Sequence, residues 1–134
     1  MLYGKEHVER YQETGGAEGY EWRNGTTILL LHTTGRKSGE ERVHPLIFRE
    51  WEGAYLIVAS KGGDPKPPEW YLNLQENPDV TIEIKDDVFK ARARTATAAE
   101  KPAMWQHMVE AWPDYSNYQK KTDRDIPVVV LERA

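Results

Sequence analysis

Apolar positions along this chain fall into several short runs with different periods. Thr26 to Thr34, "TTILLLHTT", is almost continuously β-branched and aliphatic, which predicts a buried strand, and "AYLIVA" from Ala54 to Ala59 predicts another. Val80 to Lys85 instead alternates, with Val80, Ile82 and Ile84 set against Thr81, Glu83 and Lys85. Val88 to Thr97 does the same with Phe89, Ala91 and Ala93 on one side, as a half-buried strand requires. Arg42 to Arg49 reads as a further strand, provided that Pro45 lies at an edge or bulge, because proline has no N–H to give a ladder. Ile126 to Leu131 is the last. Asn24-Gly25, Glu50 to Gly53 and Asp86-Asp87 supply turns between them.

Three stretches carry a helical period instead. Gly4 to Thr14 predicts a short polar helix with Val8 and Tyr11 on a thin apolar face, closed by Gly15 and Gly16. A proline-rich loop delivers Pro68 to the start of a second helix that ends near Asn77. After Pro102, the residues Met104, Trp105, Met108, Val109 and Trp112 recur at three and four, and Pro113 stops the pattern. Six strands joined mostly by short turns, with too few helices to serve as parallel crossovers, predict a mainly β (α+β) fold, a closed or nearly closed antiparallel barrel. The 134 residues make one domain: 1–25 as an N-terminal helix and connector, and 26–134 as the barrel.

Composition narrows the function. A formal net charge of −4 argues against a nucleic-acid partner, which needs a continuous basic face. The absence of cysteine removes disulfides, thiolate nucleophiles and Cys-ligated metals. The four histidines, His7, His32, His44 and His107, show no ligand spacing, so no metal is expected. No apolar run, Ile28 to Leu31 included, approaches a membrane span, and the start of the chain lacks a signal-peptide core, which makes the cytoplasm the expected location. The weakly apolar first helix allows at most a transient, peripheral membrane contact.

Within this acidic chain, bases gather beside glycines. "GRKSGEER" places Arg36, Lys37, Ser38 and Arg42 around a turn whose N–H groups can face an anion, although neither a Walker A loop nor G-x-G-x-x-G is present. A plain solvated turn accounts for this loop about as well. Ser60-Lys61-Gly62-Gly63 repeats the combination directly after a strand, so the two loops together favour a shared polyanion. Trp70 opens a helix and could stack on a flat ligand, although a tryptophan there is more often core. Tyr115 and Tyr118 share a face if their segment is helical, bringing two phenols together; a surface turn is the plainer account.

Taken in order, "TTGRKSGEERVHPL", "IVASKGGDPKPPEWYLNL", "NP" and "WPDYSNYQKKTDRDIPVVVLE" resemble the deazaflavin-dependent nitroreductase and quinone reductase family, over Ile28 to Glu132. The resemblance implies a six-stranded split β-barrel of the flavin-reductase type with flanking helices. It implies a cofactor, coenzyme F-420 (8-hydroxy-5-deazaflavin), whose phosphate and ring are wrapped by Arg36, Lys37, Ser38, Arg42, Val43, His44, Pro45, Leu46 and Ile47. Val58, Ala59, Ser60 and Lys61 continue that wall, and Glu69, Trp70, Tyr71, Leu72 and Asn73 add further contacts. His44 stands where the family pattern carries a hydroxyl residue, and the segment before Thr26 carries no motif.

The implied reaction moves a hydride from the reduced coenzyme to a quinone or other electron-poor small molecule, with nitroaromatic reduction as an incidental ability. Tyr115, Tyr118 or Ser60 would act as the catalytic hydrogen-bond donor to the acceptor oxygen. An FMN-dependent reductase of the same barrel type, a non-catalytic deazaflavin-binding protein and a barrel that stacks single-stranded nucleic acid are the alternatives. A monomer and a homodimer are both compatible with the sequence.

Overall fold

The computed structural model describes residues 2–134. Six strands, β1 (Thr27–Thr34), β2 (Glu41–Trp51), β3 (Ala54–Val58), β4 (Asp79–Ile84), β5 (Asp87–Thr95) and β6 (Val128–Arg133), form a closed antiparallel barrel. Their order around it is β1-β2-β3-β6-β5-β4. Four α-helices flank it: α1 (Gly4–Thr14), α2 (Glu69–Glu76), α3 (Lys101–Ala111) and α4 (Asp114–Lys120). The segment holding Tyr115 and Tyr118 is therefore helical.

The two periods of the strands have a common cause. In β1, Leu29 and Leu31 point into the barrel while Ile28 and Leu30 pack outward with Tyr11 of α1. In β3 and β6, Ile57, Val129 and Leu131 fill the interior. Leu56, Val58, Val128 and Val130 pack outward with Met104, Met108 and Tyr115 of α3 and α4. Strands covered on both faces must be apolar at every position. β4 and β5 have water on their outer side, and there Val80, Ile82, Phe89, Ala91 and Ala93 alternate inward.

Local chemistry sets the joints. Glu52 (φ 49°) and Gly53 (φ 83°) both take positive φ, the two-residue geometry whose twist matches a hairpin. Before α3, Thr97 Oγ1 accepts the Glu100 N–H at 3.2 Å and Glu100 Oε1 accepts the Thr97 N–H at 2.9 Å, a reciprocal cap. Helix α1 is held by polar anchors rather than by a broad apolar stripe. The buried Tyr11 hydroxyl donates to Ile28 O at 3.0 Å and accepts the Lys85 N–H at 2.7 Å. Burial pushes its pKa up to about 12. One turn earlier, His7 Nε2 bonds Gly19 O at 2.7 Å.

Strand β2 changes neighbours along its length. Thr27 to Thr34 pair with Glu41 to Phe48, whereas β3 pairs only with Arg49 to Trp51. Pro45 therefore lies in the one-sided stretch, in keeping with the edge position expected for it. This half of β2 is the part that meets the cavities.

Candidate active site

Two cavities meet along one wall. The larger, about 550 Å³, lies over the one-sided half of β2. His44, Pro45, Leu46 and Ile47 form its floor, and Val58, Ser60, Trp70, Trp112, Tyr115 and Tyr118 line the rest. The smaller, about 410 Å³, is bounded by Gly35, Arg36, Lys37, Ser38, Arg42 and Asn73. His44 and Glu69 line both. A mostly apolar, aromatic chamber thus opens beside a basic antechamber. The chamber's volume suits a single small-molecule ligand.

The antechamber is built on its loop and on α2. Gly35 N–H donates to Glu40 O at 2.7 Å and Gly39 N–H to Gly35 O at 2.8 Å, closing the turn. Asn73 Oδ1 accepts both the backbone N–H of Arg36 (3.1 Å) and its guanidinium (2.9 Å), while Glu69 takes the other guanidinium nitrogen at 2.7 Å. Residues four apart on a helix share a face, so α2 grips Arg36 from one side. The Arg36 hydrogen bond and charge hold the Glu69 carboxyl below its ordinary range, and Lys37 and Lys61 lower it further. Both basic loops thus flank one carboxylate.

The chamber depends on the Ser60 to Asp64 turn. Lys61 (φ 45°), Gly62 (64°) and Gly63 (85°) all take positive φ. The Arg124 guanidinium clamps this strained segment by donating to the carbonyls of Ala59 (3.2 Å), Ser60 (2.7 Å) and Asp64 (2.8 Å). A Cβ on Gly63 would stand 2.5 Å from Tyr118 O, so only glycine lets the turn lie directly on α4. Trp112 Nε1–H then donates to Tyr118 Oη at 3.2 Å, which leaves the phenol's own proton available to a third group. Tyr115 is buried, and burial followed by the neighbouring Tyr118 pushes its phenol pKa upward. Both phenols line the chamber.

The remaining wall comes from the N-terminal segment. Tyr3, His7 and Trp22 line the chamber; Trp22 meets Trp112 at 5.6 Å between ring centroids and 31° between planes. Tyr3 packs edge-on against Trp22 at 5.8 Å. The sequence motifs gave no role to this segment. The local signal available covered only His7 and Tyr11, four apart on one face of α1.

Of the residues singled out in the sequence, His44, Pro45, Leu46, Ile47, Val58, Ser60, Lys61, Glu69, Trp70, Tyr115 and Tyr118 line the chamber. Arg36, Lys37, Ser38, Arg42 and Asn73 line the antechamber. Val43, Ala59, Tyr71 and Leu72 line neither. Val43 packs under α1, Ala59 is in the barrel core, and Tyr71 is buried there with its hydroxyl 2.8 Å from Thr95 Oγ1. Alternation along the chain after β3 and the turn of α2 set Ala59, Tyr71 and Leu72 apart from their cavity-lining neighbours, whereas Val43 is covered by its packing with the α1 cluster. Trp70 satisfies both readings of it, buried in the core yet forming part of the chamber wall.

Comparison with known proteins agrees with this architecture. The F420H(2)-dependent quinone reductase family model matches residues 3–133, including the segment that carried no recognised motif. The F420H(2)-dependent quinone reductase Rv1261c of Mycobacterium tuberculosis is 42% identical over 130 residues, 95% of this chain and 87% of its own length. A solved structure described as a domain-swapped dimer is 44% identical, with a TM-score of 0.76 over 96% of both chains. A second, described as an F420-H2 dependent reductase (FDR-A), is 48% identical, with a TM-score of 0.72 over 78% of this chain and 93% of its own. The chain is an oxidoreductase on a split-barrel scaffold, and it belongs to the F420H(2)-dependent quinone reductase family.

Proposed function

We propose that this protein transfers a hydride from reduced 8-hydroxy-5-deazaflavin coenzyme to a quinone or a similar electron-poor conjugated acceptor, nitroaromatics included. The observation that carries this reading is the shared wall. A flat ring with an anionic tail needs an apolar aromatic chamber and a basic antechamber in contact, and His44 and Glu69 border both. The residues present fit such a group: Arg36, Lys37, Ser38 and Arg42 would hold the tail, and the floor from His44 to Ile47 with Trp70 would seat the ring.

The bound deazaflavin would supply the hydride. The chain's own residues position the partners and stabilise the charge that develops on the acceptor oxygen. Tyr118 is the favoured donor, because Trp112 already fills one acceptor site of its oxygen and orients the O–H outward. Tyr115, kept protonated by burial, adds a second neutral phenol to that wall, and Ser60 lines the same chamber. Trp22 and Trp112 offer faces on which a planar acceptor can stack. The solved relative described as a domain-swapped dimer favours a homodimer, which sedimentation velocity can check.

The test is direct. Purified protein mixed with reduced deazaflavin coenzyme and menadione should restore the oxidised coenzyme's absorbance, whereas reduced FMN or a nicotinamide cofactor in its place should give only background. Turnover with FMN and none with the deazaflavin would overturn the reading. Tight deazaflavin binding without turnover on any quinone would favour a carrier instead.

A further inference from the structure

The surroundings of His44 are unusual. Its ring lies between the two cavities, and its Nδ1 is buried without a hydrogen-bond partner. Nε2 is not among the buried unpaired atoms and bonds no described residue, so it is the ring nitrogen that reaches the open seam.

The groups around the imidazole decide its protonation. Arg42 precedes it by two residues on β2, and Arg36 and Lys37 face the same antechamber. Lys61 from the turn, His7 from α1, and Tyr115 and Tyr118 from α4 face the chamber. Glu69 is the one carboxylate among the described residues lining either cavity, and Arg36 already engages it. A second proton on His44 would meet a field dominated by cations and would place an N–H at Nδ1 with nothing to accept it. Burial, then Arg42, accordingly lowers its pKa. The neutral ring has two tautomers. One buries an orphan donor at Nδ1, whereas the other leaves only an unpaired lone pair there and directs its N–H into the seam.

We propose that His44 is a neutral hydrogen-bond donor, fixed as the Nε2–H tautomer by its unpartnered buried Nδ1, and that it binds an uncharged oxygen of the ligand where ring and anionic tail join. This rests on the deazaflavin reading and divides the labour of that site. The arginines and lysines of the loops take the charged oxygens, and His44 takes a hydroxyl or carbonyl of the linker. A charged imidazolium would draw the phosphate toward the seam; a neutral donor does not compete for it.

Nitrogen-15 NMR of the histidine rings in the free protein reads the tautomer without any ligand. Nδ1 of His44 should resonate as an unprotonated nitrogen and Nε2 as a protonated one across the pH range in which an ordinary histidine takes up its second proton. Fluorescence titration of the oxidised deazaflavin should show His44→Leu losing about tenfold in affinity, the scale of one buried hydrogen bond, with an unchanged salt dependence. His44→Gln, which keeps an N–H at similar reach, should stay close to wild type. An ordinary titration of His44, a proton on Nδ1, proton uptake on binding by calorimetry in two buffers, or wild-type affinity in His44→Leu would each overturn the proposal while the deazaflavin reading stood. Failure of the wild-type protein to bind the deazaflavin would overturn that reading and, with it, the assigned ligand.

Discussion

The antechamber and the chamber share a wall but are built on opposite principles. Lys37 and Ser38 stand on an exposed loop and Arg42 at the exposed start of β2, with charges loosely paired to Glu40 and Glu69. Trp70 and Tyr115 are buried, and the chamber's turn is clamped by Arg124 and seated on α4. Exposed charge gives long-range attraction at small structural cost, whereas positioning a reacting atom needs groups whose rotamers are locked by packing. Damage to the first should therefore appear in affinity, and damage to the second in stability and turnover.

The largest effect should come from Gly63→Val. Its Cβ would collide with the Tyr118 backbone at a positive φ, so we expect a loss of about 3 kcal/mol in a urea melt, together with lost turnover. A variant as stable as wild type would show that the turn need not rest on α4. Tyr118→Phe comes next. About a hundredfold should be lost from kcat with coenzyme affinity nearly intact, and unchanged turnover would remove this phenol from the mechanism. Lys37→Glu should reverse that pattern, weakening coenzyme binding about tenfold with a shallower salt dependence and leaving kcat at saturation close to wild type. A fall in kcat alone would break the division between the two cavities.

The smallest effect lies outside both. Glu100 receives two bonds from Arg94 and the Thr97 N–H, and these lower its pKa from 4.5 to about 2. Its folded pKa is depressed, so the stabilisation is present above pH 4.5 and disappears as pH falls toward 2. In Glu100→Gln the acid limb of the stability curve should flatten across that window, and melts at pH 3 and 6 would measure the change.

How much of this was legible in the sequence depended on which side of each element the information lay. The strands were visible because burial on one or both faces writes directly into the apolar period, as in Ile28 to Leu31 and Val80 to Ile84. The basic loop was visible because glycines and charges are local signals. A contiguous motif does not record which of its positions meet a cavity: Val43, Ala59, Tyr71 and Leu72 lie within the motifs but line neither cavity. Tyr3, His7 and Trp22 went unread because their role is a long-range contact: Trp22 meets Trp112 across most of the chain, and no local pattern encodes that pairing.

Strand β6 sits between β3 and β5, and Arg124 and α4 come just before it in the chain. A nascent polypeptide emerging from the ribosome therefore carries its basic loop long before it can close the barrel or fasten the Ser60 turn. Only after the residues beyond Ile126 have been released can the long-range pairings form that complete the chamber. Until then the chamber has no fixed walls.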